Sequence, residues 1–96
     1  MSSASRYRLR LYVAGDAPNS ARARDNLDRF CQAHLPDRHQ IEVVDVLAKP
    51  DRALADRILV TPTLLRVAPR PDRRIIGNLS DTEAVLRALD LPLPAT

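Results

Sequence analysis

Residues 58–67 read ILVTPTLLRV, a short apolar run with Pro62 at its centre. Proline has no backbone N–H, so in a strand pattern it belongs at an edge, at the first residue or at a bulge. Placed just ahead of a strand, Pro62 leaves TLLRV to form the strand itself. The turn-forming APRPD and then RRIIGN follow, so residues 61–77 are predicted as two strands joined by a stiff loop carrying Pro69 and Pro71.

Upstream, PDRALADRI places Pro50 in a helix's first turn and Leu54, Ala55 and Ile58 on a short apolar stripe, which predicts a helix over 50–58. QIEVVDVLAKP is rich in β-branched residues and almost continuously apolar, as expected of a parallel strand covered on both faces. Nearer the start, YRLRLYVAG alternates: Tyr7, Leu9, Leu11 and Val13 on one side, Arg8, Arg10 and Tyr12 on the other, a half-buried strand ending at Gly15. Between these strands, Ala23, Leu27, Phe30 and Cys31 recur at i, i+4, i+7 and i+8 of an amphipathic helix, with Asp16, Asn19 and Ser20 as candidate caps and Pro36 closing it. Towards the end, Ser80 and Glu83 have the spacing of a capping box for a helix that buries Val85, Leu86 and Leu89 and stops before Pro92.

The resulting order, β-α-β-α-β-β-α, matches the thioredoxin architecture in a single domain spanning 1–96 with an ordered core of about 6–91 and looser ends. In that architecture the third strand begins with a cis proline beside the active-site loop, which implies a cis Thr61–Pro62 bond. Thioredoxin chemistry also needs a low-pKa cysteine at the first helix's N-terminus, where the dipole stabilises a thiolate. That slot reads AGDAPNSARA and has no cysteine.

The single cysteine, Cys31, lies further along on the apolar stripe and reads as a small core residue. Cys31, His34 and His39 lack a fourth partner and make a weak metal set. Two glycines rule out a Gly-rich phosphate loop, and no enzyme activity or cofactor is expected. The start, MSSASRYRLR, lacks a signal peptide's apolar core and no run is long enough to span a membrane, so a cytoplasmic chain is expected.

The net charge of +3 is carried by arginine, since Lys49 is the one lysine among fifteen basic residues. Guanidinium groups pair with carboxylates and phosphates, so acidic proteins and nucleic acids are both admissible partners. Three aromatics, Tyr7, Tyr12 and Phe30, leave few for the stacking platforms that single-stranded nucleic acids need, which disfavours a nucleic-acid-binding module.

Taken together, LRLYVAGDAPNSARA, VVDVLAKP, ILVTPTLLRV, RRIIGNLSDTEAVL and ALDL, in this order and spacing, resemble the KaiB family of circadian clock proteins over residues 7–91. The resemblance implies a non-enzymatic component that binds KaiC, a hexameric ATPase and autokinase, modulates its phosphorylation cycle, captures KaiA and displaces the histidine kinase SasA. KaiB and KaiC relatives without KaiA imply a second possibility, a stress or signalling adaptor. The resemblance also implies metamorphism: a thioredoxin-like monomer and a tetramer-forming βαββααβ state that share the N-terminal half and differ over roughly 48–91.

Carried over by position, Arg22, Arg66, Arg73 and Arg74 stand where the family has basic partner-binding residues, while Asp25 replaces a family lysine. Pro62, Pro69, Pro71, Ala88 and Asp90 fall in the rebuilt half. Ala88 stands where the cyanobacterial pattern has glycine, and alanine favours a helix over glycine by about 0.8–1.0 kcal/mol, so the thioredoxin-like state should gain roughly fivefold. A dimer or tetramer is a further expectation.

Overall fold

The computed structural model describes residues 6–93, so the expectation of loose ends falls outside the described residues. The chain runs β1 (Tyr7–Val13), α1 (Pro18–His34), β2 (His39–Asp45), α2 (Pro50–Ala55), β3 (Thr63–Ala68), β4 (Arg73–Ile76) and α3 (Thr82–Ala88). This is the thioredoxin-like order. One four-stranded sheet, β2-β1-β3-β4, has β1 and β2 parallel and the other pairs antiparallel.

The period-two pattern of β1 decides the layering. Tyr7, Leu9, Leu11 and Val13 join Ala23, Leu27, Phe30 and Cys31 of α1 and Val85, Leu86 and Leu89 in the main core. On the opposite face Tyr12 and Val44 meet Ala53 of α2 in a smaller cluster. Tyr12 is fully buried rather than solvated beside its arginine neighbours, because α2 roofs that part of the sheet.

β2 is an edge strand, and the expectation that both its faces are covered is not met: Val44 is buried but Val43 remains 44% exposed. α2 is shorter than its predicted span and turns inward on Ala53, leaving Leu54 77% exposed. It ends in a Schellman motif: Ile58 N–H donates to Ala53 O and Arg57 N–H to Leu54 O, with Arg57 at φ 57°. α3 ends the same way, through Leu91 N–H to Leu86 O and Asp90 N–H to Arg87 O, with Asp90 at φ 58°.

The predicted caps also shift. Asp81, not Ser80, caps α3, its carboxylate accepting from Ala84 N–H. α1 has Ala17 as its N-cap residue, Pro18 in its first turn and no side-chain cap. Ser20 is buried one turn inside and accepts from Ala14 N–H at 3.1 Å, tying the helix to the end of β1. The Thr61–Pro62, Ala68–Pro69 and Arg70–Pro71 peptides are cis.

Candidate partner-binding surface

At the end of the sheet where β1 and β2 finish and β3 begins, the loop that would carry redox cysteines is tied down by the Asp45 carboxylate. Asp45 Oδ1 accepts from both Gly15 N–H at 3.1 Å and Leu47 N–H at 2.9 Å. Gly15 adopts φ 53°, a left-handed conformation that favours glycine in this turn. Pro62 O accepts from Gly77 N–H at 3.0 Å, linking the start of β3 to the end of β4.

Around this end the surface is apolar. Leu47, Leu59, Val60 and Ile76 are exposed, Leu59 to 93%. Large apolar side chains grouped at one end of a soluble domain mark an interaction surface more often than chance exposure does. Thiol chemistry is excluded: Cys31 is buried in the main core, and burial pushes its thiol up to about 12. Among the described residues no group of His, Cys, Asp and Glu is arranged to hold a metal, and His34 instead stacks on Phe30 at 4.8 Å.

The four arginines do not form one patch. Arg22 is exposed on α1, bonded to Asn19 Oδ1 at 3.3 Å, and lines a groove between α1 and β2 with Ile41 and Val43 on its wall. Arg73 and Arg74 lie at the far edge of the sheet, on β4. Arg73 Nε pairs with Asp90 at 2.9 Å. Arg74 donates to Asp56 O at 2.8 Å and Arg57 O at 3.2 Å, capping the C-terminus of α2.

Arg66 differs from the expected surface anchor. It is 3% exposed, and its guanidinium donates to Leu89 O and to Pro71 O at 2.7 Å, with Asp90 at 3.6 Å. It is a bracket between β3, the β3–β4 loop and the end of α3. Asp90, the other residue of this bracket, joins Arg66 to Arg73.

A second network holds α2 on the sheet. Arg10 bonds Glu42 and Asp56, each at 2.9 Å, Arg52 bonds Glu42 at 2.9 Å, and Tyr12 hydroxyl donates to Asp56. Hydrogen bonds from Arg52 and Arg10 hold the Glu42 carboxyl at about 2. Burial acts to raise Asp56, but the Tyr12 and Arg10 bonds outweigh it and leave its carboxyl below the usual range. Sequence reasoning missed this network, because Arg10 and Glu42 become neighbours only through the β1–β2 register.

Glu42 titrates near 4.5 when free and near 2 when folded, so its contribution is present above the free value and is lost as pH falls through the folded one. Glu42→Gln should therefore be less stable than wild type at neutral pH yet lose less on acidification between pH 4.5 and 2. Urea midpoints across that window measure it, and identical acid slopes for the two proteins would refute the assignment.

The KaiB domain family model matches residues 10–91. The circadian clock oscillator protein KaiB of Synechococcus elongatus is 50% identical over 91 residues, covering 95% of this chain and 89% of that protein. The chain belongs to the KaiB family. Its fold resembles the N-terminal domain of Synechococcus elongatus SasA, with a TM-score of 0.76 at 20% identity, covering 100% of this chain and 94% of that one. It also resembles mitochondrial thioredoxin 3 of Saccharomyces cerevisiae, with a TM-score of 0.72 at 19% identity over 91% of this chain and 80% of that one. Among the described residues no helix is long and apolar enough to cross a membrane.

Proposed function

We propose that this KaiB-family chain is a single-domain clock component that binds the ring of a KaiC-like hexameric ATPase and modulates its phosphorylation cycle in the thioredoxin-like form. The observation that carries this reading is the family match over residues 10–91, in a chain whose redox slot is closed and surrounded by exposed leucine, valine and isoleucine. Arginines in and beside such an apolar surface supply bidentate contacts to a partner's carboxylates. Arg22 and Arg74 are the exposed candidates, and Arg73 joins them where Asp90 is released to a partner. Arg66 acts indirectly, by holding the end of α3 against β3.

Exchange with the βαββααβ state belongs to the same proposal. Ala88 closes α3 and Asp90 sits in the left-handed turn after it, so both residues occupy the stop of an element that the other state would rebuild. KaiA-type and SasA-type proteins are the further partners such a component would meet.

The test is native mass spectrometry of the chain with the cognate KaiC-like ATPase in ATP or ADP, comparing wild type with Arg22→Ala plus Arg74→Ala. Wild type should form a complex and the double variant should lose at least tenfold in affinity, at about 1 kcal/mol or more per interface arginine. Circular dichroism of the variant separates lost contact from loss of α2, which Arg74 caps. Absence of a wild-type complex would overturn the reading.

A further inference from the structure

We propose that the end of the sheet opposite the apolar surface binds an acidic peptide segment of a second protein, seated on unpaired arginines around the start of β1. Most arginine side chains are already bonded within the chain, to carboxylates, to Asn19 or to the end of α2. Among the described residues Arg6, Arg8, Arg24, Arg38, Arg57 and Arg70 have no such bond. Of these, Arg6, Arg8, Arg38 and Arg70 gather at one end of the sheet, and all are exposed.

Register brings them together. Tyr7 N–H donates to Arg38 O, which sets Arg38 beside Arg6, the residue before β1. The Arg38 guanidinium lies over the Tyr7 ring, 5.8 Å from its centroid. Arg8 stands opposite Ala68, and Arg70 follows shortly in the β3–β4 loop. Like charges gathered this way repel one another, and an anion removes that repulsion as it binds.

The same end carries a seat. Arg8 faces Ala68 while Leu9 faces Arg66, so Val67 is the extra residue of a β-bulge. α2 roofs this face of the sheet over Tyr12 and Val44, and beyond it lies a groove of about 340 Å³ lined by Arg8, Gln40 and Val67, with the Arg10–Glu42 pair as one wall. An extended acidic segment suits these groups. Its carboxylates accept from the guanidinium groups, its main-chain amides meet the Gln40 amide, and a small apolar side chain rests on Val67.

Nucleic acid fits less well. Tyr7 is 8% exposed beneath Arg38, which leaves no ring for a base to stack on, and the Glu42 carboxylate in the groove wall repels phosphate. A lipid surface needs large apolar side chains beside the cations, and Leu47, Leu59, Val60 and Ile76 lie at the opposite end. With the basic and apolar surfaces at opposite ends, one monomer can hold two partners at once.

The test is fluorescence anisotropy of the full chain with a labelled peptide of alternating glutamate and serine, beside the same peptide with glutamine for glutamate. The glutamate peptide should bind, more weakly as salt is raised, and the glutamine peptide should not. Arg8→Ala plus Arg38→Ala should weaken binding roughly 25-fold, at about fivefold per interface arginine. Arg24→Ala plus Arg57→Asn removes the same charge elsewhere, asparagine suiting the left-handed turn at 57, and should leave the affinity unchanged. If loss of Arg38 from the Tyr7 ring unfolds the chain, as circular dichroism would show, Arg8→Ala plus Arg70→Ala carries the same expected loss. A wild type that ignores the glutamate peptide, equal losses in the two kinds of double variant, or tighter binding to a labelled oligonucleotide or to phosphatidylglycerol vesicles would overturn the proposal. The probe is the peptide alone, so none of these outcomes bears on binding to the KaiC-like ATPase.

Discussion

Arg66→Ala is expected to lower the unfolding free energy by about 3 kcal/mol and the melting temperature by on the order of 15 °C. The side chain is almost fully buried, and its removal leaves the carbonyls of Leu89 and Pro71 without their donor and a guanidinium-sized void between β3 and α3. Unfilled acceptors cost more than the bonds themselves were worth. Asp90→Ala should cost only about 1 kcal/mol, because its carboxylate is half exposed, its 2.9 Å pair is with the exposed Arg73, and its contact with the buried Arg66 is long at 3.6 Å. Urea unfolding of the two variants beside wild type measures both. Equal losses would mean that Arg66 serves Asp90 rather than the backbone, and a loss below about 1 kcal/mol for Arg66→Ala would remove the bracket altogether.

Leu86→Ala should cost about 3 kcal/mol, whereas Leu54→Ala should stay within about 0.5 kcal/mol. Both leucines lie on apolar stripes by sequence. Leu86 is enclosed by the main core beneath α3, and truncation there opens a cavity. Leu54 points to solvent because α2 is a short helix that seats Ala53 against Tyr12 and Val44. Denaturant midpoints for the pair discriminate sharply. A loss at Leu54 near that at Leu86 would mean that α2 packs on its predicted stripe instead. Retained stability of Leu54→Ala with weakened binding to the KaiC-like ATPase would assign that leucine to the partner surface.

The order of elements was legible because it rests on local rules. Period-two alternation in β1, the i, i+4, i+7 spacing of α1, and Pro62 ahead of TLLRV each constrain only a few neighbouring residues, and their succession specified the thioredoxin-like fold. Helix ends were less legible. With only two glycines in the chain, the left-handed stops after α2 and α3 fall on Arg57 and Asp90, residue types that carry no stop signal. The cap of α3 moved by one residue because Ser80 and Asp81 are both good caps and local sequence does not rank them.

The candidate site divides in the same way. The resemblance to the KaiB family pointed to the four arginines, and the residues in order showed the missing cysteines. Only tertiary structure decided that Arg66 is a buried bracket, that Arg73 and Arg74 sit across the sheet from Arg22, and that Tyr12 lies under α2. Burial and pairing come from contacts between segments tens of residues apart, as between Arg10 and Asp56 or Arg66 and Leu89. The sequence by itself determined the apolar faces of β1, α1 and α3, while the buried face of α2 was settled only by its seating on Tyr12 and Val44. The position of β2 at the sheet edge follows from strand order, and strand order exists only once the sheet is assembled.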